Sequence, residues 1–159
     1  MEEKTCCFTG HRKIPADKYQ TIAKETEKAI EKLIKEGYVF FCAGGALGYD
    51  TIAEKAVLKL KKKYTDISLV LVLPCLTQAD KWKEEDKEIY KSIKAQADIV
   101  VYTSQTYTPY CMHKRNRFLV DDSSACICYL TEKSGGTFYT VNYAKKKNLT
   151  VLNIADKIG

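Results

Sequence analysis

One segment constrains the fold more than any other: residues 67–73, Ile-Ser-Leu-Val-Leu-Val-Leu. A strand with one face in water alternates apolar and polar residues, whereas this segment is apolar at almost every position. Such a strand is buried on both faces, which indicates a parallel sheet covered by helices on each side. Pro74 follows directly and is expected to end the strand, because proline has no N–H for the sheet ladder.

Strand-like and helix-like segments alternate along the whole chain. Strands are predicted at 5–9, 38–42, 67–73, 98–102, 125–130 and 149–154. Helices are predicted at about 15–36, 50–63, 78–96 (one helix or two short ones), 112–122 and 138–147. We therefore predict one domain over residues 1–159, an α/β, Rossmann-like, doubly wound and mainly parallel sheet of about six strands with helices on both faces. In that architecture the loops after the strands meet at one edge, where ligands bind.

Composition sets limits on location and partners. The 159 residues are 45% hydrophobic and 29% charged, which is typical of a globular domain. No run of about 18 apolar residues and no secretory signal is visible, so we expect a cytoplasmic protein without a membrane span. The net charge of +6 comes largely from lysines on predicted helix faces. Solvated faces explain this excess, so nucleic acid is not a favoured partner.

The cysteines and histidines do not indicate a metal centre. Five of the seven cysteines fall inside predicted strands, where a free thiol packs as a small apolar group: Cys6, Cys7, Cys42, Cys126 and Cys128. We expect a reduced and mostly buried set. The two histidines have no matching acidic cluster, so no metal site is predicted and no cofactor is required.

A glycine turn follows the second strand. Gly44, Gly45 and Gly48 come just before a helix that starts near Asp50. Glycine lets a ligand approach the backbone, and the start of a helix presents free N–H groups, so the turn is a candidate phosphate site. The alternative is a tight turn that only allows close helix–sheet packing. Asp50 could bind sugar hydroxyls or cap its own helix.

Gly135, Gly136 and Thr137 repeat this pattern before the last helix, with backbone amides and a hydroxyl at a helix start. Thr137 could instead serve only as a helix cap.

Polar side chains follow two other strands. Gly10, His11 and Arg12 come after the first strand, where the planar guanidinium of Arg12 suits a phosphate or carboxylate, or else a surface ion pair. Gln78 and Trp82 follow the third strand. Trp82 could stack on a base, or it could be an interior helix residue.

Arg115 is the strongest candidate among the arginines. Residues 112, 115 and 119 share one helix face, so Arg115 is predicted to lie beside Met112 and Leu119 on the side turned to the sheet. A buried charge needs a partner, which makes Arg115 either a functional group or half of a structural ion pair. Arg117 points elsewhere and is expected to be solvated.

Four blocks of residues, taken together, resemble the SLOG superfamily and within it the YpsA-like branch of small bacterial proteins. They are Phe8-Thr9-Gly10-His11-Arg12; Gly44 to Asp50; Pro74 with Gln78 and Trp82; and Met112, Arg115-Asn116-Arg117 and Asp121 followed by Gly135-Gly136-Thr137. The superfamily includes Lonely-Guy phosphoribohydrolases and DprA DNA-binding proteins. The resemblance implies a Rossmann-like fold whose glycine loops, with Asn116 beside Arg115, hold a nucleotide-derived ligand.

The resemblance leaves catalysis open. Arg115 matches an arginine of the phosphoribohydrolases, but Asn142 falls where their catalytic glutamate would be. An amide cannot act as a carboxylate base, so hydrolysis would need another acid. Asp50, Asp121 and Asp122 are the candidates for that acid. Over the whole chain, Arg115 and Asp50 are the candidate catalytic residues.

Three functions follow from these residues. The first is binding or sensing of a nucleotide, such as a nucleoside monophosphate or an ADP-ribose or NAD-like molecule. The second is hydrolysis of an N-glycosidic bond in such a ligand. The third is DprA-like binding of single-stranded DNA. Family analogy also suggests a homodimer and a protein partner.

Overall fold

The computed structural model describes residues 4–158 and contains six strands. Their bounds are Thr5–Gly10 (β1), Phe40–Ala43 (β2), Ser68–Leu73 (β3), Ile99–Tyr102 (β4), Ala125–Tyr129 (β5) and Thr150–Asn153 (β6). All six form one parallel sheet in the order β4-β3-β2-β1-β5-β6. The predicted parallel α/β sheet is therefore confirmed.

Five α-helices connect the strands. In chain order they are Tyr19–Lys35 (α1), Tyr49–Lys61 (α2), Glu84–Gln96 (α3), Cys111–Asp121 (α4) and Gly136–Lys146 (α5). Short 3₁₀ turns lie at Ala16–Lys18 and Ile154–Lys157. No helix in the described part of the chain is long and apolar enough to cross a membrane.

The helices cover both faces of the sheet, as the uninterrupted apolar β3 strand predicts. One core lies under α1, α2 and α3, and it takes Cys6 and Phe8 from β1. The other lies under α4 and α5 and takes the intervening Cys7. Side chains of a strand alternate between faces, so β1 supplies both cores. All seven cysteines are free and buried, which confirms the expectation from their positions.

Helix α1 ends at Lys35, one residue before the predicted boundary. Gly37 adopts a φ of +99°, its N–H donates to Ile34 O, and the N–H of Tyr38 donates to Leu33 O. This is a Schellman motif, for which glycine is favoured because of its left-handed backbone.

The predicted helix over residues 78–96 is wrong in its first third. Residues 76–82 form turns, and α3 starts only at Glu84. Hydrogen bonds close these turns, from the N–H of Asp80 to Thr77 O and from the N–H of Trp82 to Ala79 O. Trp82 is consequently a half-buried residue of the β3–α3 connection and not an interior helix residue.

Candidate functional site

The loops that follow the strands meet at the carboxyl edge of the sheet. The chain runs from β1 outward through β2 and β3 to β4, and then returns to place β5 on the other side of β1. The order therefore reverses beside β1, and doubly wound sheets form their ligand crevices at such a reversal. The loops after β1, β2 and β5 border this crevice.

His11 joins these loops. Its backbone oxygen accepts the N–H of Tyr49 at 3.0 Å, which fixes the start of α2. Its Nε2 accepts the N–H of Thr131 at 2.9 Å, which fixes the loop after β5. Gly10 lies so close to Tyr49 that a side chain at position 10 would overlap its ring. His11 and Gly10 therefore hold the crevice in shape, whereas the neighbouring Arg12 is exposed beside it.

The amides of the first glycine turn are bound by the protein's own carboxylates. The N–H of Gly45 donates to Glu54 Oε2 at 3.0 Å. The N–H of Ala46 donates to Asp50 Oδ2 at 3.2 Å. Asp50 thus reaches back to the turn instead of capping its own helix, whose N-cap is Gly48.

Close packing accounts for the glycines of this turn. A Cβ at Gly44 would lie 2.5 Å from Arg115 Nη1, and one at Gly45 would lie 2.5 Å from Leu73 Cδ2. A Cβ at Gly48, where φ is +82°, would meet the backbone of Arg12. The tight-turn interpretation explains all three positions without a ligand.

Arg115 lies beneath the turn, on the sheet side of α4 as predicted. Its side chain is 5% exposed. Nη1 donates to Gly44 O, and Nη2 donates to Met112 Sδ at 3.6 Å. Nε donates to Asn116 Oδ1 at 2.8 Å, so Asn116 orients the guanidinium. The arginine clamps the turn to α4.

Asp50, Glu54 and Arg115 form a buried charge cluster. Burial raises the pKa of Glu54 well above its ordinary value, and Asp50 raises it further. Burial also raises the pKa of Asp50, while the charge of Arg115 opposes that rise. Burial lowers the pKa of Arg115, against the pull of both carboxylates. Two carboxyl groups therefore share one buried cation, and burial disfavours the charged form of all three groups.

The second glycine turn differs from the first because it is open. Gly135, with φ of +95°, is the N-cap of α5, and no atom lies within 4 Å of a Cβ built at Gly135 or Gly136. The helix ladder starts with the N–H of Tyr139 donating to Gly135 O, so the amides of residues 136–138 precede it. No side chain caps this helix, so the cap interpretation of Thr137 is wrong.

Trp82 borders two neighbouring cavities, and Gln78 borders one of them. Gln78 Nε2 lies 3.5 Å from the carbonyl oxygens of Gly44 and Gly45. Trp82 lines a cavity of about 260 Å³ beside the first glycine turn and another of about 560 Å³ that Gln78 also lines. The structure thus brings Gln78 and Trp82 together with this turn.

Sequence reasoning missed Glu54, although a signal was present. Asp50 and Glu54 are four residues apart, so they share a helix face, and apolar residues surround them in the sequence. Asp121 and Asp122 are remote from the crevice, because α4 runs back toward the amino edge, where Asp122 lies near Thr5 and Phe40.

A groove near the start of α5 was also missed. It measures about 740 Å³ and is lined by basic and aromatic side chains interleaved with the glycine turn: His113, Arg117, Lys133, Phe138, Tyr139, Tyr143 and Lys146, with Asn142. Arg117 is exposed as predicted, but it donates to Tyr139 Oη at 2.7 Å and covers the Tyr143 ring at 4.8 Å.

The sheet order, the glycine turns and the crevice define a Rossmann-like α/β protein. The family model described as the YspA SLOG family matches residues 6–155. The chain belongs to this family, which confirms the SLOG, YpsA-like relationship predicted from the sequence. A UPF0398 protein of Bacillus cereus (strain G9842) is 32% identical over 129 residues, covering 79% of this chain and 70% of the relative. One from Bacillus thuringiensis (strain Al Hakam) is 31% identical over 131 residues, covering 80% and 71%.

Solved structures of DNA processing protein A share the fold. The protein from Helicobacter pylori superposes with a TM-score of 0.70 at 15% identity, covering 99% of this chain and 72% of that one. The protein from Streptococcus pneumoniae gives 0.67 at 17% identity over 94% of this chain. The present chain spans about half of the latter protein, 49% of its length. The Helicobacter protein is described as binding single-stranded DNA.

Proposed function

We propose that this chain binds a nucleotide or nucleotide-derived ligand in the crevice bordered by the loops after β1, β2 and β5. Membership of the SLOG family and the reversal of strand order beside β1 support this assignment. The amides of Gly45 and Ala46 already bind Glu54 and Asp50, so the ligand's phosphate is assigned to the second glycine turn.

Gly136 is the observation that carries the proposal. Glycine at the first position of a helix is less stable than alanine, because it loses more conformational freedom. Gly136 has no positive φ, and nothing lies within 4 Å of a Cβ built there. Neither the backbone nor the packing requires glycine at this position, whereas close approach of a phosphate to the helix start does.

Arg12 supplies the second part of the phosphate site. Its side chain is exposed after β1 and lines the cavity beside the first glycine turn, and β5, which leads to the second turn, is the strand next to β1. A helix start contributes only about 0.3–1 kcal/mol to binding an anion, so a cation nearby is needed for useful affinity. A ligand that carries a phosphate and a sugar-linked base fits this combination together with the cavities beside Trp82.

Replacing Gly136 by alanine is expected to weaken nucleotide binding about ten-fold or more, because the added methyl group separates the phosphate from the amides. Stability should stay equal or rise by a few tenths of a kcal/mol. Calorimetry with AMP, ADP-ribose, NAD and cyclic nucleotides measures the affinity, and urea denaturation measures the stability.

Glu84→Ala is the matched control, since it changes the first residue of α3. It should bind every ligand as the unaltered chain does. An unchanged affinity in Gly136→Ala would place the phosphate elsewhere. Absence of binding across the whole panel would overturn the proposal itself.

Single-stranded DNA binding is the second candidate function. The groove at α5 interleaves Arg117, Lys133 and Lys146 with tyrosines, which is the pattern expected of a nucleic-acid surface. This groove and the fold shared with DNA processing protein A weigh against the prediction, made from lysine-rich helix faces, that nucleic acid is not a favoured partner.

Arg117→Ala is expected to weaken binding of an oligo(dT) strand several-fold, since it removes both a phosphate contact and the cation over Tyr143. Anisotropy titrations at three salt concentrations should show a shallower salt dependence, by about 0.7 in the logarithmic slope. Lys28→Ala, on the exposed face of α1, is the control and should leave the slope unchanged. Salt-independent binding, or none, would exclude this function.

A further inference from the structure

Gln78 carries a polar atom whose partner the protein does not supply. Its side chain is 9% exposed, and within residues 4–158 its Oε1 is a buried oxygen without a hydrogen-bond partner. A buried acceptor left unpaired destabilises a fold, and most buried polar groups in proteins are paired. The Gln78 side chain also interacts with the hydroxyl of Tyr90, whose pKa burial raises and Gln78 lowers, but Oε1 itself still lacks a donor and can accept one that arrives from outside the chain.

The orientation of the Gln78 amide follows from its surroundings. One end of the amide faces the carbonyl oxygens of Gly44 and Gly45, each at 3.5 Å. Two acceptors require a donor, so the amide nitrogen belongs at this end and the oxygen at the other. The missing partner must consequently be an N–H or O–H group.

The cavity at Gln78 suits a flat aromatic group. Its volume is about 560 Å³, and Gln78, Trp82, Tyr107 and Met112 line it, with Thr77, Asp80 and Lys81. The ring of Trp82 is held edge-on against Tyr90, with 5.2 Å between centroids. Tyr107 is 66% exposed, so it can close over a bound ring at low cost. Aromatic walls with one fixed acceptor are typical of a base-binding pocket.

Trp82 connects this cavity to the glycine turn. It also lines the cavity of about 260 Å³ that contains Arg12, Gly45 and Gly48. A nucleotide whose phosphate lies near Arg12 would therefore direct its base toward Trp82.

We infer that Gln78, Trp82 and Tyr107 form an adenine-type base subsite in which the exocyclic amine of the base donates a hydrogen bond to Gln78 Oε1. The inference rests on the proposed nucleotide-binding function and adds the class of base to it. Bases that present no N–H at this edge leave the oxygen unpaired and bind more weakly.

Two nucleotides that differ only in this amine test the inference on the unaltered chain. AMP carries the exocyclic amine, and purine riboside 5′-monophosphate lacks it. We expect AMP to bind about ten-fold more tightly, because Oε1 gains its only partner. Calorimetry measures both affinities, and Trp82, the single tryptophan of the chain, reports base stacking through its fluorescence.

Gln78→Met keeps the length of the side chain and removes the acceptor. In this variant AMP should bind as weakly as purine riboside 5′-monophosphate, while the affinity for the latter stays the same. Gln105→Met, which changes an exposed glutamine in a neighbouring loop, should keep the ten-fold preference. Tyr107→Ala should weaken both nucleotides several-fold, whereas Tyr110→Ala, at a tyrosine that is 75% exposed, should weaken neither.

The outcomes separate this inference from the function on which it depends. Equal affinity of the unaltered chain for the two nucleotides overturns the subsite alone and means that Oε1 is paired by water or by the hydroxyl of Tyr90. A preference for AMP that survives in Gln78→Met also overturns it. Failure of both nucleotides to bind overturns the proposed function together with the subsite.

Discussion

Replacing Arg115 by methionine is expected to destabilise the fold by about 3–5 kcal/mol at neutral pH. The substitution removes the cation from the cluster and leaves Asp50 and Glu54 buried without it. It also removes the clamp on Gly44 O. Urea denaturation of the variant and the unaltered chain, at several pH values, measures the difference.

The loss should depend on pH. The folded-state pKa of both carboxyl groups is already raised, and without Arg115 it rises further. A group with a raised folded-state pKa stabilises the fold fully below its unfolded pKa, and that stabilisation is lost as the pH rises toward the folded value. The destabilisation in Arg115→Met should accordingly be smallest near pH 4 and grow toward neutral pH.

A variant that neutralises the whole cluster provides the control. Adding Asp50→Asn and Glu54→Gln to Arg115→Met should restore a large part of the lost stability and flatten the pH dependence, because no buried charge remains. If the triple variant is as unstable as Arg115→Met at every pH, the clamp on the turn dominates and the charge cluster does not.

Replacing Gly48 by alanine should destabilise the fold by about 2–4 kcal/mol, since it combines backbone strain with overpacking. Gly48 has a φ of +82°, and a Cβ there would lie 2.5 Å from the carbonyl carbon of Arg12 and the carbonyl oxygen of His11. These atoms are backbone and cannot rotate away, so the loop after β1 must shift away from α2. The midpoint of urea denaturation measures the effect.

Gly136→Ala is the matched control for Gly48→Ala. The same methyl group is added at the start of another helix at the same edge, but into open space and without a positive φ. Its stability should change by less than about 0.5 kcal/mol. Similar destabilisation in the two variants would contradict the packing explanation for the first glycine turn.

The sequence predicted the sheet and its edge because those features depend on local patterns. The apolar run of β3 indicates burial on both faces, and alternation of strands and helices indicates parallel strands. The position of Arg115 followed from helix periodicity, since residues 112, 115 and 119 share a face. The first third of the predicted helix at 78–96 failed, because turns around Trp82 form before α3 begins.

Long-range contacts were beyond such patterns. The bond from Thr131 to His11 and the clamp of Arg115 on Gly44 join residues far apart in the chain. The basic and aromatic groove likewise combines α4 with α5, so no single segment displays it. Helix periodicity could have placed Glu54 on the same face as Asp50. It could not have predicted that Glu54 accepts a hydrogen bond from the amide of Gly45.

Local sequence patterns are sufficient to predict two glycine turns before two helices at the carboxyl edge of a parallel sheet. The difference between the two turns arises from tertiary contacts. In the first, the carboxylates of Glu54 and Asp50 bind the amides of Gly45 and Ala46, because α2 packs its buried face against the turn. In the second, no atom lies within 4 Å of a Cβ built at Gly135 or Gly136, so the amides that begin with Gly136 and precede the helix ladder lie beside open space.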